Sequence, residues 1–154
     1  MLFLRKATPN DLMLYFQWAN DSLVRLQSFN TETISIDTHA KWFTEKINDP
    51  KNLLLVFQSE TFENVGQVIF QKASDNSSAI IGISVERSHR GKGYAAEMLI
   101  KASEYFYSHN RCCRIDAFIR QDNNYSIRSF ERAGFVYVEK LVYKGVESVK
   151  YSKY

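Results

Sequence analysis

Ser84-Val85-Glu86-Arg87-Ser88-His89-Arg90-Gly91-Lys92-Gly93-Tyr94-Ala95-Ala96 is the stretch around which this 154-residue chain is organised. An apolar run from Ala79 to Val85 leads into it, and apolar residues at helical spacing, Leu99, Ala102 and Phe106, follow it. The two glycines allow backbone conformations that other residues avoid and let a ligand approach the main chain closely. The first amides of the helix that follows are unpaired donors carrying partial positive charge, which suits a phosphate. Arg90 and Lys92 add formal charge beside them. The stretch reads as a pyrophosphate cradle at a strand-to-helix junction.

Upstream, Asn52 to Gln58, Val65 to Lys72 and Ala79 to Val85 read as a three-strand meander, with turns at 61–64 and 74–78. Before it come a strand at Leu2 to Lys6 and a helix to about Asn20, with Thr8 as N-cap, Pro9 at its first position and Leu12, Tyr15, Phe16 and Ala19 inward. A break at Asn20-Asp21-Ser22 caps a short second helix, and Ser28 to Ile36 forms a polar loop. Asp37 then caps a helix that runs to Asn48, with Trp42, Phe43 and Ile47 inward and Asp49-Pro50 as its stop. Downstream, the cradle helix spans Gly93 to Ser108, and a strand spans Arg114 to Arg120 with Ile115, Ala117 and Ile119 alternating against Asp116 and Phe118. Asn123 or Asn124 caps a helix that ends at Ala133-Gly134. Phe135 to Tyr143 and Val146 to Tyr154 close the chain as a hairpin. The sum is one α+β domain over residues 1–154, a three-layer arrangement with a central mixed, mostly antiparallel sheet flanked by helices.

Composition narrows the class. A hydrophobic fraction of 45% and a charged fraction of 24% are ordinary for a globular domain, and a net charge of +3 demands no nucleic-acid partner. The apolar start, Leu2 to Leu4, is too short for a signal peptide, and no run reaches membrane length. Cys112 and Cys113 are adjacent and cannot staple distant segments, and they form no metal-type spacing with His39, His89 and His109. A reduced, cytoplasmic setting without a metal is expected.

Gly91-x-Gly93-x-x-Ala96 formally matches a dinucleotide fingerprint, but that belongs in a parallel βαβ unit, whereas the strands before this one look antiparallel. A P-loop pattern is absent. A basic surface turn with helix-starting glycines remains the plain alternative. Arg90-x-x-Gly93-x-Ala95 directly after a strand also resembles the acetyl-CoA motif Q/R-x-x-G-x-G/A of the GNAT N-acetyltransferases. Asn123-x-x-Ser126-Ile127-x-x-Phe130-Glu131-x-x-Gly134-Phe135 is similar to the second conserved block of that family, and the order of elements matches over essentially the whole chain.

The resemblance implies a GNAT fold and acetyl-CoA as co-substrate. Ile83 to Val85 would lie along the pantetheine arm, with Val85 beside the thioester. The amides of Arg90, Gly91, Lys92, Gly93, Tyr94 and Ala95 would hold the pyrophosphate. Asn123, otherwise a plain helix cap, would meet the arm, with Ser126 and Ser129 near the thiol. Transfer to an amine needs a neutral nucleophile, a polarised carbonyl and a proton for the thiolate. An amide at Val85 or Glu86 is the candidate for polarising the carbonyl. The family often places a Tyr where this chain has Phe130, and a Glu where it has Ile80. Ser129, Tyr125, Tyr137 or water are left as acids, and Glu86 or His39 as groups near the chemistry, His39 having the plain alternative of a packed histidine.

The acceptor is sought in the N-terminal half. Trp18-Ala19-Asn20-Asp21-x-x-Val24-Arg25, followed by Ile34-x-x-x-x-His39-x-x-Trp42-Phe43, is similar to a PseH-like subset of the family. That resemblance implies a small-molecule amine on a nucleotide-linked amino-deoxy sugar, with Arg25, Phe29, Asn30, His39 and Trp42 as acceptor-binding candidates. A RimJ/RimL-like enzyme acting on protein N-termini is the second possibility. Another small-molecule amine, such as an aminoglycoside, is the third, and a CoA-binding sensor without activity is the non-enzyme alternative. Aromatics on the closing hairpin suggest a homodimer. Neither a nucleic acid nor a membrane is expected as a partner.

Overall fold

The computed structural model describes residues 1–111 and 114–154, so Cys112 and Cys113 lie outside the described residues. Seven strands form one sheet: β1 (Phe3–Lys6), β2 (Asn52–Gln58), β3 (Asn64–Lys72), β4 (Ser78–Val85), β5 (Arg114–Arg120), β6 (Val136–Tyr143) and β7 (Val146–Lys153). Their order is β1-β2-β3-β4-β5-β7-β6. All neighbours are antiparallel except β4 and β5, which run parallel. The helices are α1 (Leu12–Ala19), α2 (Ser22–Gln27), α3 (Ile36–Asn48), α4 (Tyr94–His109) and α5 (Asn124–Arg132).

Two apolar layers sandwich the sheet. On one face Met98, Leu99, Ala102 and Phe106 of α4 and Phe130 of α5 pack on Leu55, Phe57, Val68, Phe70, Ile115 and Ile119. Phe70 and Phe106 stack at 4.4 Å. On the other face Tyr15, Trp18 and Phe43 pack on Leu54 and Val56. Because β2 is covered on both sides, its apolar residues run consecutively rather than alternating. Each Val, Leu, Ile, Met or Phe side chain among them contributes roughly 1.5–3 kcal/mol when removed from water, before conformational entropy is counted.

Three local expectations shift. Ser35, not Asp37, caps α3, its Oγ accepting from Thr38 N at 3.2 Å. A serine in extended conformation satisfies a first-turn amide from outside the helix, and Asp37 then sits inside the first turn. In α1 the buried residues are Tyr15 and Trp18, because a 3₁₀ turn at Pro9–Asp11 precedes the helix and the inward face is set by the Tyr15–Phe43 ring contact at 5.1 Å. Asp116 is buried rather than outward-facing, and it accepts from Arg114 Nε at 2.8 Å and Ser152 Oγ at 2.6 Å.

Candidate active site

The parallel pair β4–β5 is hydrogen-bonded only from Ser78, Ala79 and Ile80 to Arg114, Ile115 and Asp116. Both strands continue past that point, β4 to Val85 and β5 to Arg120, without pairing. Antiparallel pairs alternate between residues that exchange bonds with the partner and residues that turn away. Glu86 N–H donates to Val65 O at 2.7 Å, and Gly66 stands opposite Val85. Ile83 and Val85 therefore turn their N–H and C=O groups away from β3, into the gap.

That gap opens into a cleft of about 510 Å³. Its walls are Ile83 to Val85 from β4, Leu23, Val24 and Gln27 from α2, Arg90 and Ala95 from the cradle, and residues 122–126 with Ser129 at the start of α5. The lining is mostly apolar with a few polar groups, as small-molecule sites generally are. Gly91 and Gly93 both have φ of 77°, and a side-chain Cβ at either would meet nothing within 4 Å. Glycine is there for its backbone conformation and for open access to the amides, not for packing. Gly93 caps α4, which exposes the helix's first amides to that open side. Asn123 caps α5, its Oδ1 accepting from Ser126 N at 3.2 Å, while its side chain borders the cleft.

The other candidates divide. Ser129 borders the cleft and donates to Tyr125 O at 3.0 Å. Phe130 does not border it; the ring is buried and meets Phe135 edge-on at 5.0 Å. The Glu86 carboxylate caps the 3₁₀ turn at Arg87–His89 through Ser88 N at 2.8 Å, and also accepts from the Ser88 hydroxyl. Those donors, the Ser88 hydroxyl foremost, hold the Glu86 carboxyl below its ordinary range. With its amide committed to Val65, Glu86 leaves Val85 as the amide that faces the gap. His89 is nearly buried between Glu63, at 2.9 Å from Nε2, and Glu86, at 3.3 Å from Nδ1.

Arg25, Phe29, Asn30, His39 and Trp42 do not border the cleft. His39 is 1% exposed, its Nε2 lies 2.9 Å from Leu12 O, and its ring is packed among Phe16, Trp42 and Phe43. It is a core residue joining α1 to α3. Trp42 lies half-buried on the same side. Arg25 binds the loop backbone at Asn30 O (2.9 Å) and Glu32 O (3.1 Å), and Ser28 Oγ at 3.2 Å; burial pulls its pKa down. Phe29 packs edge-on against Tyr143 at 5.0 Å, and Tyr143 stacks on Phe118 at 4.1 Å. Apart from Val24, which borders the cleft, the motif 18–43 thus builds the helices and loop behind it. Leu23 and Gln27 of α2, which sequence reasoning passed over, form the cleft wall together with Val24, which was read only as part of the motif.

Fold and cleft together define a class: a GNAT-type, acetyl-CoA-dependent N-acetyltransferase. The chain belongs to the acetyltransferase (GNAT) domain family, whose model matches residues 1–136. It is 28% identical over 146 residues to the uncharacterized N-acetyltransferase p20 of Bacillus licheniformis, covering 88% of this chain and 82% of that protein. Spermidine N-acetyltransferase from Vibrio cholerae, solved with CoA and spermine, superposes with a TM-score of 0.88 at 20% identity, covering 99% of this chain and 94% of that one. The aminoglycoside acetyltransferase AAC(6')-Ib, solved with coenzyme A and kanamycin, gives 0.87 at 16%, covering 99% and 94%. At those identities the two structures establish the shared fold. Among the described residues no helix is long and apolar enough to cross a membrane.

Proposed function

We propose that this enzyme transfers the acetyl group directly from acetyl-CoA, in a ternary complex, to the primary amine of a nucleotide-linked amino-deoxy sugar. Pantetheine lies along Ile83 to Val85, the pyrophosphate on the amides of Arg90 to Ala95, and Asn123 and Ser126 flank the arm. The Val85 amide donates to the thioester oxygen. The amine lone pair attacks the carbonyl carbon, the C–S bond breaks, the thiolate takes up a proton, and the new amide nitrogen loses one. Ser129, Tyr125 and water are the proton sources within the cleft.

The acceptor class rests on one observation, the charge around the cleft. Asp122 is the carboxylate among the lining residues; it is exposed and 3.6 Å from Arg120. Arg25 and Arg120 both bind Ser28 behind the wall, at 3.2 Å and 3.1 Å. Polyamines and aminoglycosides are polycations best held by several carboxylates, and a lining with the single exposed carboxylate of Asp122, set against Arg90, offers them little. Similar proteins of known structure carry names tied to spermidine and to aminoglycosides, and the common ground is a small-molecule amine. A reduced, cytoplasmic setting, as the cysteine usage suggests, goes with this reading.

The test is thiol release from acetyl-CoA with a panel of a UDP-linked 4-amino-deoxy sugar, spermidine, kanamycin and a peptide with a free N-terminus. The UDP-sugar is expected to turn over fastest and to raise the melting temperature beyond the shift from acetyl-CoA. Faster turnover of spermidine, kanamycin or the peptide overturns the acceptor assignment.

A further inference from the structure

The first residue of the cradle, Arg90, does not send its guanidinium toward the exposed glycine turn. Its Nε donates to Val85 O at 3.0 Å, and its Nη2 donates to Asp21 Oδ1 at 2.8 Å. Asp21 lies 69 residues earlier and is the N-cap of α2, accepting from Leu23 N at 3.0 Å and Val24 N at 3.3 Å. Its other oxygen is 3.5 Å from Arg87 Nε. The side chains of Asp21 and Arg90 are only 12% and 23% exposed. Burial opposes ionisation of Asp21, but the Arg90 bond and the two α2 amides outweigh it and hold the carboxyl below its ordinary range.

α2 is two turns long and has no buried residue of its own. A helix that short does not hold itself in place in water. Yet Leu23, Val24 and Gln27 wall the cleft opposite β4. Its placement therefore depends on side-chain links: Arg25 ties its far end to the loop at 28–32, and at its first turn the link is an ion pair to the residue that begins the cradle. The same guanidinium is bonded to the carbonyl of Val85, whose amide faces the thioester gap. One side chain so spans the strand end, the cradle and the wall on the acceptor side.

We propose that Asp21 and Arg90 are positioning residues for the transfer. Their pair fixes the α2 wall against the end of β4, so that the acceptor meets a preformed surface beside the thioester. The guanidinium of Arg90 is committed to this link, and the pyrophosphate is held by backbone amides. The proposal rests on the cleft being the acetyl-CoA and acceptor site.

The experiment uses Asp21→Asn, which keeps a cap oxygen but removes the charge, together with Arg90→Met and Arg90→Lys. Amide hydrogen exchange of residues 23–27 is measured, along with acetyl-CoA affinity by calorimetry. Steady-state constants are taken with the panel amine that the wild type acetylates fastest. Exchange at 23–27 is expected to rise at least fivefold in Asp21→Asn and Arg90→Met. Arg90→Lys, which still reaches Asp21, is expected to recover most of the protection. Acetyl-CoA affinity stays within threefold of wild type in Asp21→Asn, which leaves the cradle's own residues in place, and acceptor KM rises at least fivefold in the two disrupting variants. A tenfold loss of acetyl-CoA affinity in Arg90→Met with unchanged exchange at 23–27 assigns the guanidinium to the phosphates and overturns the proposal. So does exchange that Lys does not restore. A wild-type protein that binds no acetyl-CoA refutes the underlying site instead.

Discussion

Replacing Gly93 by Asp separates the cradle's role in the fold from its role in binding. Gly93 has φ of 77° and ψ of 9°, and a Cβ there meets nothing within 4 Å. The substitution therefore brings no clash, only the cost of a left-handed conformation, about 1 kcal/mol for a residue with a Cβ. In a chain of this size that lowers the melting temperature by about 2–4 °C. Binding responds very differently. A carboxylate about 5 Å from a pyrophosphate charge at an effective dielectric of about 20 is opposed by roughly 3 kcal/mol. That is about two orders of magnitude in acetyl-CoA affinity.

Gly145, in the β6–β7 turn, supplies the control. Its φ is 78° and its Cβ position is equally open. Gly145→Asp should show the same small thermal shift with acetyl-CoA affinity unchanged. Calorimetry of both variants with acetyl-CoA, at low and at 0.5 M salt, reads the comparison, and the Gly93 defect should shrink as salt screens the repulsion. Affinity in Gly93→Asp within threefold of Gly145→Asp would remove the pyrophosphate from this turn.

Gly66 is constrained by contact rather than conformation: a Cβ would collide with Ser84 O and reach Met98 Cε at 2.8 Å. Gly66→Ala should destabilise by about 1–3 kcal/mol in urea unfolding, because β3 and β4 must separate. Asp11 is held below its ordinary pKa, the Arg5 hydrogen bond leading against burial, with Arg5 Nη1 at 2.8 Å. A depressed folded-state carboxyl stabilises above the unfolded value, about 4, and loses that contribution as pH falls through the folded one. Asp11→Asn should therefore lower the urea midpoint at pH 7 and narrow the gap between pH 7 and pH 3; an unchanged gap counts against it. Phe130→Tyr adds a hydroxyl to a ring that is buried against Phe135. It should lower the melting temperature without raising the rate of thiol release, and a rate increase would show that the position can reach the thiolate.

Where local chemistry decides, the sequence was legible. β2 and β5 fall on the expected residues, because an apolar run bounded by turn formers has few other ways to fold. The Asn123 cap and the stop at Gly134, with φ of 89°, follow from single residue types. What sequence could not show were choices settled by distant partners. His39, Trp42 and Phe43 share a helix face at i, i+3 and i+4, and nothing in that spacing says which one goes deepest. The Tyr15 and Phe16 rings decide it by packing against Phe43 and His39. Arg90 read as a phosphate ligand because it neighbours the glycines, yet its guanidinium goes to a residue 69 positions away. Asp116 alternates outward by period, but Arg114 and Ser152 give a buried carboxylate what it needs.

The proposed mechanism asks transfer to proceed without a strong acid or base at the thioester. Glu86 is turned to Ser88 and His89, His39 is in the core, and Phe130 carries no proton. What the cleft does supply is placement. In the proposed mechanism the unpaired strand end would offer the Val85 amide to the thioester carbonyl, and the N-terminus of α4 would seat the pyrophosphate at the far end of the same arm. Orienting two reactants in this way is worth up to ~7–11 kcal/mol of a bimolecular barrier. A thiolate is a fair leaving group, so protonation can follow C–S cleavage instead of driving it. The demand then falls on keeping the amine close and neutral beside the thioester. That makes the fixed position of the α2 wall, and so the Asp21–Arg90 pair, more consequential here than any single titrating side chain.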